Sequence, residues 1–418
     1  MKNNLIIILT LLPLWCGAQV KQTIAYTDYM AQVRNKNLVY AAEKLNIPIA
    51  DADVQAAKVF NDPTLSFEYA NNDDHKMQMG QGYSVELSKT FSPGKLRART
   101  NLAQCEKELT AALLDDFFRH LRAEATVAYL EAIKQTHLFE LKFNSYLSIY
   151  NLAKADSIKF TLGKITEVDA LQSRLEAGVS YNEVLQAKSD LYHAYAALNL
   201  PLGQFHADTL YVPVGTLEMS NRTFSQSNLL STALNHRSDL VAALKNVEVA
   251  QKALRLTRRE RNVDFDIALG YNYNTEVRNE LAPAPKFSGI TLGMSIPLKF
   301  SNFNKGVVHS AQNKALQAQE QYQQAELEVQ TEVMQNYNAY LSLCSQVERF
   351  KTGMLEKAET VIKGKIYSYN RGETSLLEVL DAQRTYNDVQ ALYIETLFNH
   401  ASSLVSLEQS VGIWDLEI

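Results

Sequence analysis

Polar and apolar residues alternate with a period of two in four places along the chain. In Val263–Tyr273, Phe265, Ile267, Leu269, Tyr271 and Tyr273 share one face, and Asp264, Asp266, Ala268, Gly270 and Asn272 share the other. Gly289–Leu298 sets Ile290, Leu292, Met294, Ile296 and Leu298 against Thr291, Gly293 and Ser295. The first half repeats the device with Leu65, Phe67 and Tyr69 against Ser66 and Glu68, then Tyr83, Val85 and Leu87 against Ser84, Glu86 and Ser88. This pattern predicts strands near 63–70, 82–91, 263–273 and 289–298. About ten residues with one wholly apolar face suit a tilted crossing of a bilayer, lipid on one side and water on the other. One such strand fits a half-buried soluble sheet equally well; four in two pairs favour the membrane. The segments between the paired strands, Asn71–Gln81 and Asn274–Lys286, are polar and rich in turn formers, and His75 in the first reads as a solvated loop residue.

The period then changes to that of helices. Residues 95–154 contain no Gly or Pro, and 303–368 contain only Gly306, Gly353 and Gly364. At 1.5 Å per residue each would make a helix of about 90–100 Å. In the second, Ala311, Ala315, Ala318, Tyr322, Ala325 and Val329 recur at alternating spacings of four and three, a coiled-coil seam of mainly small residues. Shorter returning helices are expected over Thr166–Asn199 and Ser375–Val411, and amphipathic helices over Tyr26–Phe60 and Ser238–Arg261. The turns joining long to returning helices share a pattern: FTLGKITEVDALQSR at 160–174 and YNRGETSLLEVLDAQ at 369–383 place Gly163 and Gly372 half a chain length apart. Each half thus runs helix, two strands, long helix, glycine turn, returning helix, which reads as an internal duplication. The expected layout is a first repeat over 19–199 with its helical hairpin at 95–199, a connector over 200–236 and a second repeat over 237–418 with its hairpin at 303–411.

Residues 1–18 have Lys2, an apolar run Leu5–Trp15 and the small residues Gly17 and Ala18, the parts of a secretory signal. Bulky Trp15 before Cys16 favours cleavage after Ala18, and lipidation of Cys16 is the second reading. Two cysteines, Cys105 and Cys344, then remain at positions unrelated by the repeat, with no metal-type spacing. No other apolar run is long enough for a membrane helix, so an exported chain of this kind can enter a membrane only as strands. Four strands cannot close a barrel, so copies must pool theirs in a symmetric ring. A net charge of −5 with no basic stripe gives no nucleic-acid signal. Eight scattered histidines and the absence of HExxH, GxSxG and Walker patterns leave no enzyme reading and no cofactor or metal site. The rival reading is a soluble periplasmic coiled-coil adaptor or tether, which would not account for four lipid-suited strands.

The tip sequences, the NDPTLSFEY segment before the first strand and the PGKLRAR segment opening the first long helix resemble the TolC-type outer-membrane efflux protein family. PGKLRAR is also similar to the GGKR stretch of the heavy-metal-cation branch, with Pro93 replacing one glycine and Leu96 intervening. The resemblance implies a mainly α protein with membrane β: a homotrimer whose protomers each give four strands to one barrel of about 12 strands, continuing into a periplasmic α-helical barrel. It implies a passive exit duct of a tripartite pump, set in the outer membrane and docked by its helical tips to a periplasmic adaptor and an inner-membrane transporter of the RND type. It also implies that Glu378 and Asp381 ring the periplasmic aperture, and that Asp169 and Tyr369 belong to the network holding it shut. Gly163, Gly372, Arg371 and Thr374 fall at the docking tips, Thr374 standing where the family carries a basic residue.

Overall fold

The computed structural model describes residues 20–204, 209–298 and 304–415; the leader 1–18 and residue 303 at the start of the second hairpin lie outside them. The elements run β1 (Val20–Ala25), α1 (Tyr26–Lys36), α2 (Leu38–Lys44), α3 (Asn46–Ala57), β2 (Thr64–Asn71), β3 (Gln81–Phe91), α4 (Lys95–Thr161), α5 (Glu167–Ala197) and β4 (Thr209–Val214). They continue with α6 (Gln226–His236), α7 (Ser238–Glu260), β5 (Phe265–Asn274), β6 (Phe287–Ser295), α8 (Lys305–Arg349), a π turn at Phe350–Met354, α9 (Leu355–Asn370) and α10 (Leu376–Val411). Among the described residues no helix is long and apolar enough to cross a membrane. The chain forms two compact units.

One unit, Ala42–Phe117 with Ser231–Thr331, carries an antiparallel sheet in the order β2-β3-β5-β6. Its register aligns the apolar positions of all four strands: Leu65, Leu87, Leu269 and Leu292 form one row, and Phe67, Val85, Tyr271 and Ile290 the next. That face is bare, with Phe67 75 % and Ile290 78 % exposed. Ser66, Glu86, Gly270 and Thr291 make the corresponding row on the other face. β6 starts earlier than the alternation suggests and stops at Ser295, because Pro297 offers no N–H and restricts Ile296. Below the sheet, Val54, Ala57 and Ala103 pack α3 on α4, and Arg99 Nε donates to the Ala57 carbonyl at 3.1 Å. Lys245 of α7 reaches Glu108 of α4 at 2.9 Å. On α8 the seam positions Ala318 and Val329 are buried, with Ala311, Ala315, Tyr322 and Ala325 half-buried beside them.

The other unit, Met1–Ala41, Phe118–Leu230 and Glu332–Ile418, holds a feature the alternation does not announce. β1 and β4 pair in parallel, tied by fully buried Tyr129, whose hydroxyl donates to the Ile24 carbonyl at 2.8 Å and accepts from the Val214 N–H at 3.0 Å. Tyr26 and Tyr29 pack on the same ring at 5.6 and 5.3 Å. β4 and α6 lie within the segment 200–236, expected as the inter-repeat connector and equatorial region.

Two helical expectations need correction. Tyr26–Phe60 is three helices, because Asn37 ends α1 and caps α2: its Oδ1 accepts from the Tyr40 N–H at 2.8 Å, and its Nδ2 donates to the Pro201 carbonyl at 2.9 Å. The run 303–368 is not one helix either. At Thr352 (φ −79°, ψ 25°) and Gly353 (φ 117°) the backbone leaves helical angles, so α8 and α9 meet at a joint, whereas α4 runs unbroken for 67 residues.

Candidate functional site

Both helical tips are built in the same way. α4 ends in a Schellman turn, with Gly163 at φ +70°, Gly163 N–H on the Phe160 carbonyl at 2.8 Å and Lys164 N–H on the Lys159 carbonyl at 2.9 Å. α9 ends likewise, with Gly372 at φ +77°, its N–H on Tyr369 at 3.1 Å and the Glu373 N–H on Ser368 at 3.0 Å. Nothing lies within 4 Å of a Cβ built on either glycine, so it is the left-handed backbone and not crowding that calls for glycine. Three residues further on, Thr166 and Ser375 cap the returning helices.

This capping explains the acidic residues six positions after each glycine. The Asp169 N–H donates to Thr166 Oγ1 at 3.2 Å, and the Thr166 hydroxyl donates to Asp169 Oδ2 at 2.7 Å. Glu378 and Ser375 form the reciprocal capping box. Glu378 also takes the Lys365 ammonium at 2.6 Å, and that hydrogen bond holds its carboxyl below the ordinary carboxylate range. Asp381, one turn along α10, is exposed near Arg384, which is bound to Glu176 of α5 at 2.8 Å. Arg371 is held on Glu373 at 2.8 Å and on the Tyr367 hydroxyl at 2.9 Å, while the Thr374 hydroxyl is shielded without a hydrogen-bond partner.

Tyr369 is buried, and its hydroxyl donates to Asp156 Oδ1 at 2.9 Å. Burial first and the Asp156 carboxylate second push the phenol up. Lys159 caps this pair, 3.5 Å from Asp156 and 4.1 Å above the Tyr369 ring. Tyr369 also packs with Leu376, Val379 and Leu380 of α10, and Leu152 of α4 packs against that cluster, so the second tip is fastened to α4. The structure therefore brings Tyr369 within electrostatic reach of Asp169 and leaves Glu378 and Asp381 on an exposed surface. Asp156, Lys159 and Lys365 are absent from the sequence reading. The Thr/Ser-x-x-Asp/Glu spacing is the local signal that could have marked the caps, whereas a buried aspartate carries none.

Cys105, Glu108 and Glu248 bring their ligand-type atoms within 4.8 Å of one another. Lys245 already donates to both carboxylates, at 2.9 and 3.1 Å, and burial pushes the Cys105 thiol up, so the group is arranged as an ion-pair network around an ammonium.

A bare apolar sheet face, joined to helical hairpins with matched tips, defines a mainly helical protein fitted with membrane-type strands. Residues 229–413 match the family model described as outer membrane efflux protein. It is similar to the cobalt-zinc-cadmium resistance protein CzcC of Cupriavidus metallidurans, 23 % identical over 385 residues, covering 92 % of this chain and 88 % of that protein. It is also similar to the outer membrane protein TolC of Vibrio cholerae, 20 % identical over 320 residues, covering 76 % and 70 %. The solved structure of CusC superposes with a TM-score of 0.76 at 15 % identity, covering 93 % of this chain and 92 % of that one, which is a likeness of fold.

Proposed function

We propose that three copies of this chain close their sheets into one outer-membrane barrel, continue it as a helical barrel in the periplasm, and serve as the passive exit duct of a tripartite efflux pump. The observation that carries this reading is the four-strand register. It puts the large apolar side chains other than Phe287 on one bare face and leaves β2 and β6 as open edges. Unpaired backbone groups are costly in lipid, so such edges favour pairing β6 of one copy with β2 of the next. The two recurrences of strand pair, long helix and matched tip support the duplicated layout, with repeats over 19–199 and 237–418 joined by 200–236.

In this reading the tips dock a periplasmic adaptor and, through it, an inner-membrane transporter of the RND type, with Gly163, Gly372, Arg371 and Thr374 shaping the surface that the adaptor meets. Glu378 and Asp381 line the aperture, while Asp169 and Tyr369 hold the closed arrangement. The duct needs no catalytic group. Likeness to a cobalt-zinc-cadmium resistance protein favours metal cations among the possible cargoes. The test is fractionation of the expressed protein: a heat-resistant trimer in outer-membrane detergent extracts supports the duct, and a soluble periplasmic monomer would refute it in favour of a tether.

A further inference from the structure

In the unit that carries the sheet, a cleft of about 840 Å³ lies between the start of α4 and the end of α7. Arg97, Lys252, Arg255, Arg258 and Arg259 line it beside Asn101 and Asn262, and no carboxylate does. None of the four arginines joins a salt bridge among the described residues. Arg258 and Arg259 occupy the last turn of α7, where a cation complements the helix terminus. That account does not extend to Arg97. It lies in the first turn of α4, which has no acidic residue and whose positive end opposes a cation. Of the neighbouring cations, Lys95 is bound to Asp264 at 2.6 Å and Arg99 donates to the Ala57 carbonyl; Arg97 has neither kind of partner among the described residues.

The cleft also has a defined side. Lys95, Leu96 and Arg99 face a separate groove shared with Phe60, Lys89 and Phe91, and Phe91 continues the apolar face of β3. At 100° per residue, Arg97, Ala98 and Asn101 point the opposite way around α4. The basic cleft therefore opens away from that groove.

We propose that this cleft is an anion-binding site on the water side of the helical wall, taking an oxyanion with two or more charges, such as a diphosphate or a polycarboxylate. Guanidinium forks from two helices match such a group bidentately, and a divalent anion relieves the repulsion among five cations that no side chain of the cleft offsets. The position in the water path rests on the exit-duct reading; the binding does not.

Titration of the purified, detergent-solubilised protein with inorganic pyrophosphate tests the binding. We expect saturable, salt-sensitive binding that weakens about tenfold or more in Arg97→Gln with Arg255→Gln, since charge-assisted hydrogen bonds are lost. Lys89→Gln, in the opposite groove, should bind as wild type. In planar bilayers, pyrophosphate should lower the conductance of the wild type and leave that of the double variant unchanged. Absence of pyrophosphate binding, or equal loss in Lys89→Gln, overturns the site. Binding only to vesicles of anionic phospholipid overturns the water-side placement, as does pyrophosphate binding without an effect on conductance. A protein that binds pyrophosphate but forms no channel sinks the duct reading and leaves the anion site standing.

Discussion

Glu408 offers a quantitative test of packing in the unit that includes the C-terminal segment. It sits near the end of α10, 5 % exposed, with the Asp415 carboxylate within hydrogen-bonding reach of its own carboxyl. The Arg222 guanidinium stands 3.6 Å away but is taken by Asp415 at 2.7 Å. Burial, and then the Asp415 carboxylate, push the Glu408 carboxyl up to about 8, against the pull of Arg222 and Arg122. The sign follows from linkage. Below pH 4.5, its ordinary value, both folded and unfolded chains hold the proton and nothing is lost. Above it the unfolded chain ionises while the folded one stays neutral, so stability falls until the pH passes about 8. At pH 7 the accumulated loss is about 3 kcal/mol, at about 1.4 kcal/mol per pH unit. Glu408→Gln keeps the shape of the neutral acid and removes the loss, so it should stabilise the protein by about that amount. Buried His400, whose ring is held below its usual range by burial, acts with the opposite sign and only below pH 6.5. The window from about pH 6.5 to 8 therefore isolates Glu408, and there the wild type should lose about 2 kcal/mol while the variant stays flat. Guanidinium unfolding in detergent can be followed through Trp414, which packs under Arg122 at 4.6 Å from the guanidinium carbon. A variant that is less stable than the wild type, or that keeps its pH slope, would refute the reasoning.

Three further predictions bear on assembly, docking and gating. Leu269→Arg, set between Leu87 and Leu292 on the bare face, should lower trimer yield at a cost of about 2–4 kcal/mol per copy, whereas Asn272→Arg on the other face should assemble and alter conductance; equal loss in extracted trimers counts against the strand orientation. Gly372→Val should leave a folded trimer that fails to complement efflux, while Gly372→Asn, which tolerates positive φ, should retain most activity; normal efflux by the valine variant refutes a shape-read tip. Glu378→Gln with Asp381→Asn should weaken block of single channels by a trivalent cation added from the periplasmic side, and Glu86→Gln should not; unchanged block would remove both residues from the aperture.

The strands were the most legible part of the fold. A period of two is local, and once each strand has its face, the register that stacks Leu65, Leu87, Leu269 and Leu292 is the one that keeps all the apolar rows together. Helix boundaries were legible where a glycine or a cap marks them, as at Gly163 and Ser375. The break at Asn37 combines a local cap on the Tyr40 N–H with a bond to the Pro201 carbonyl, and that long-range half carries no local signal. The parallel β1–β4 pair was hidden for a related reason: its key residue, Tyr129, lies in the middle of a 67-residue helix and reads as one more aromatic on a helical face. At the tips, the acidic positions are named through the family resemblance, by matching them to the tip glycines. Their local work as helix caps, and the Asp156–Tyr369 contact beneath them, depend on which helices lie side by side.

The joint at Thr352–Gly353 makes the two hairpins mechanically unlike. α4 is a continuous rod whose every turn is braced by the next, so a force applied at Gly163 is carried along its axis. Beyond Gly353, α9 packs on α10 through Ile366, Tyr369, Leu376 and Leu380, so the second hairpin carries, in its outgoing limb at Thr352–Gly353, a local bend point that α4 does not have. A load on the second tip thus meets that bend point on one limb, while the Tyr369–Asp156 bond passes part of the load to the unbroken rod of α4.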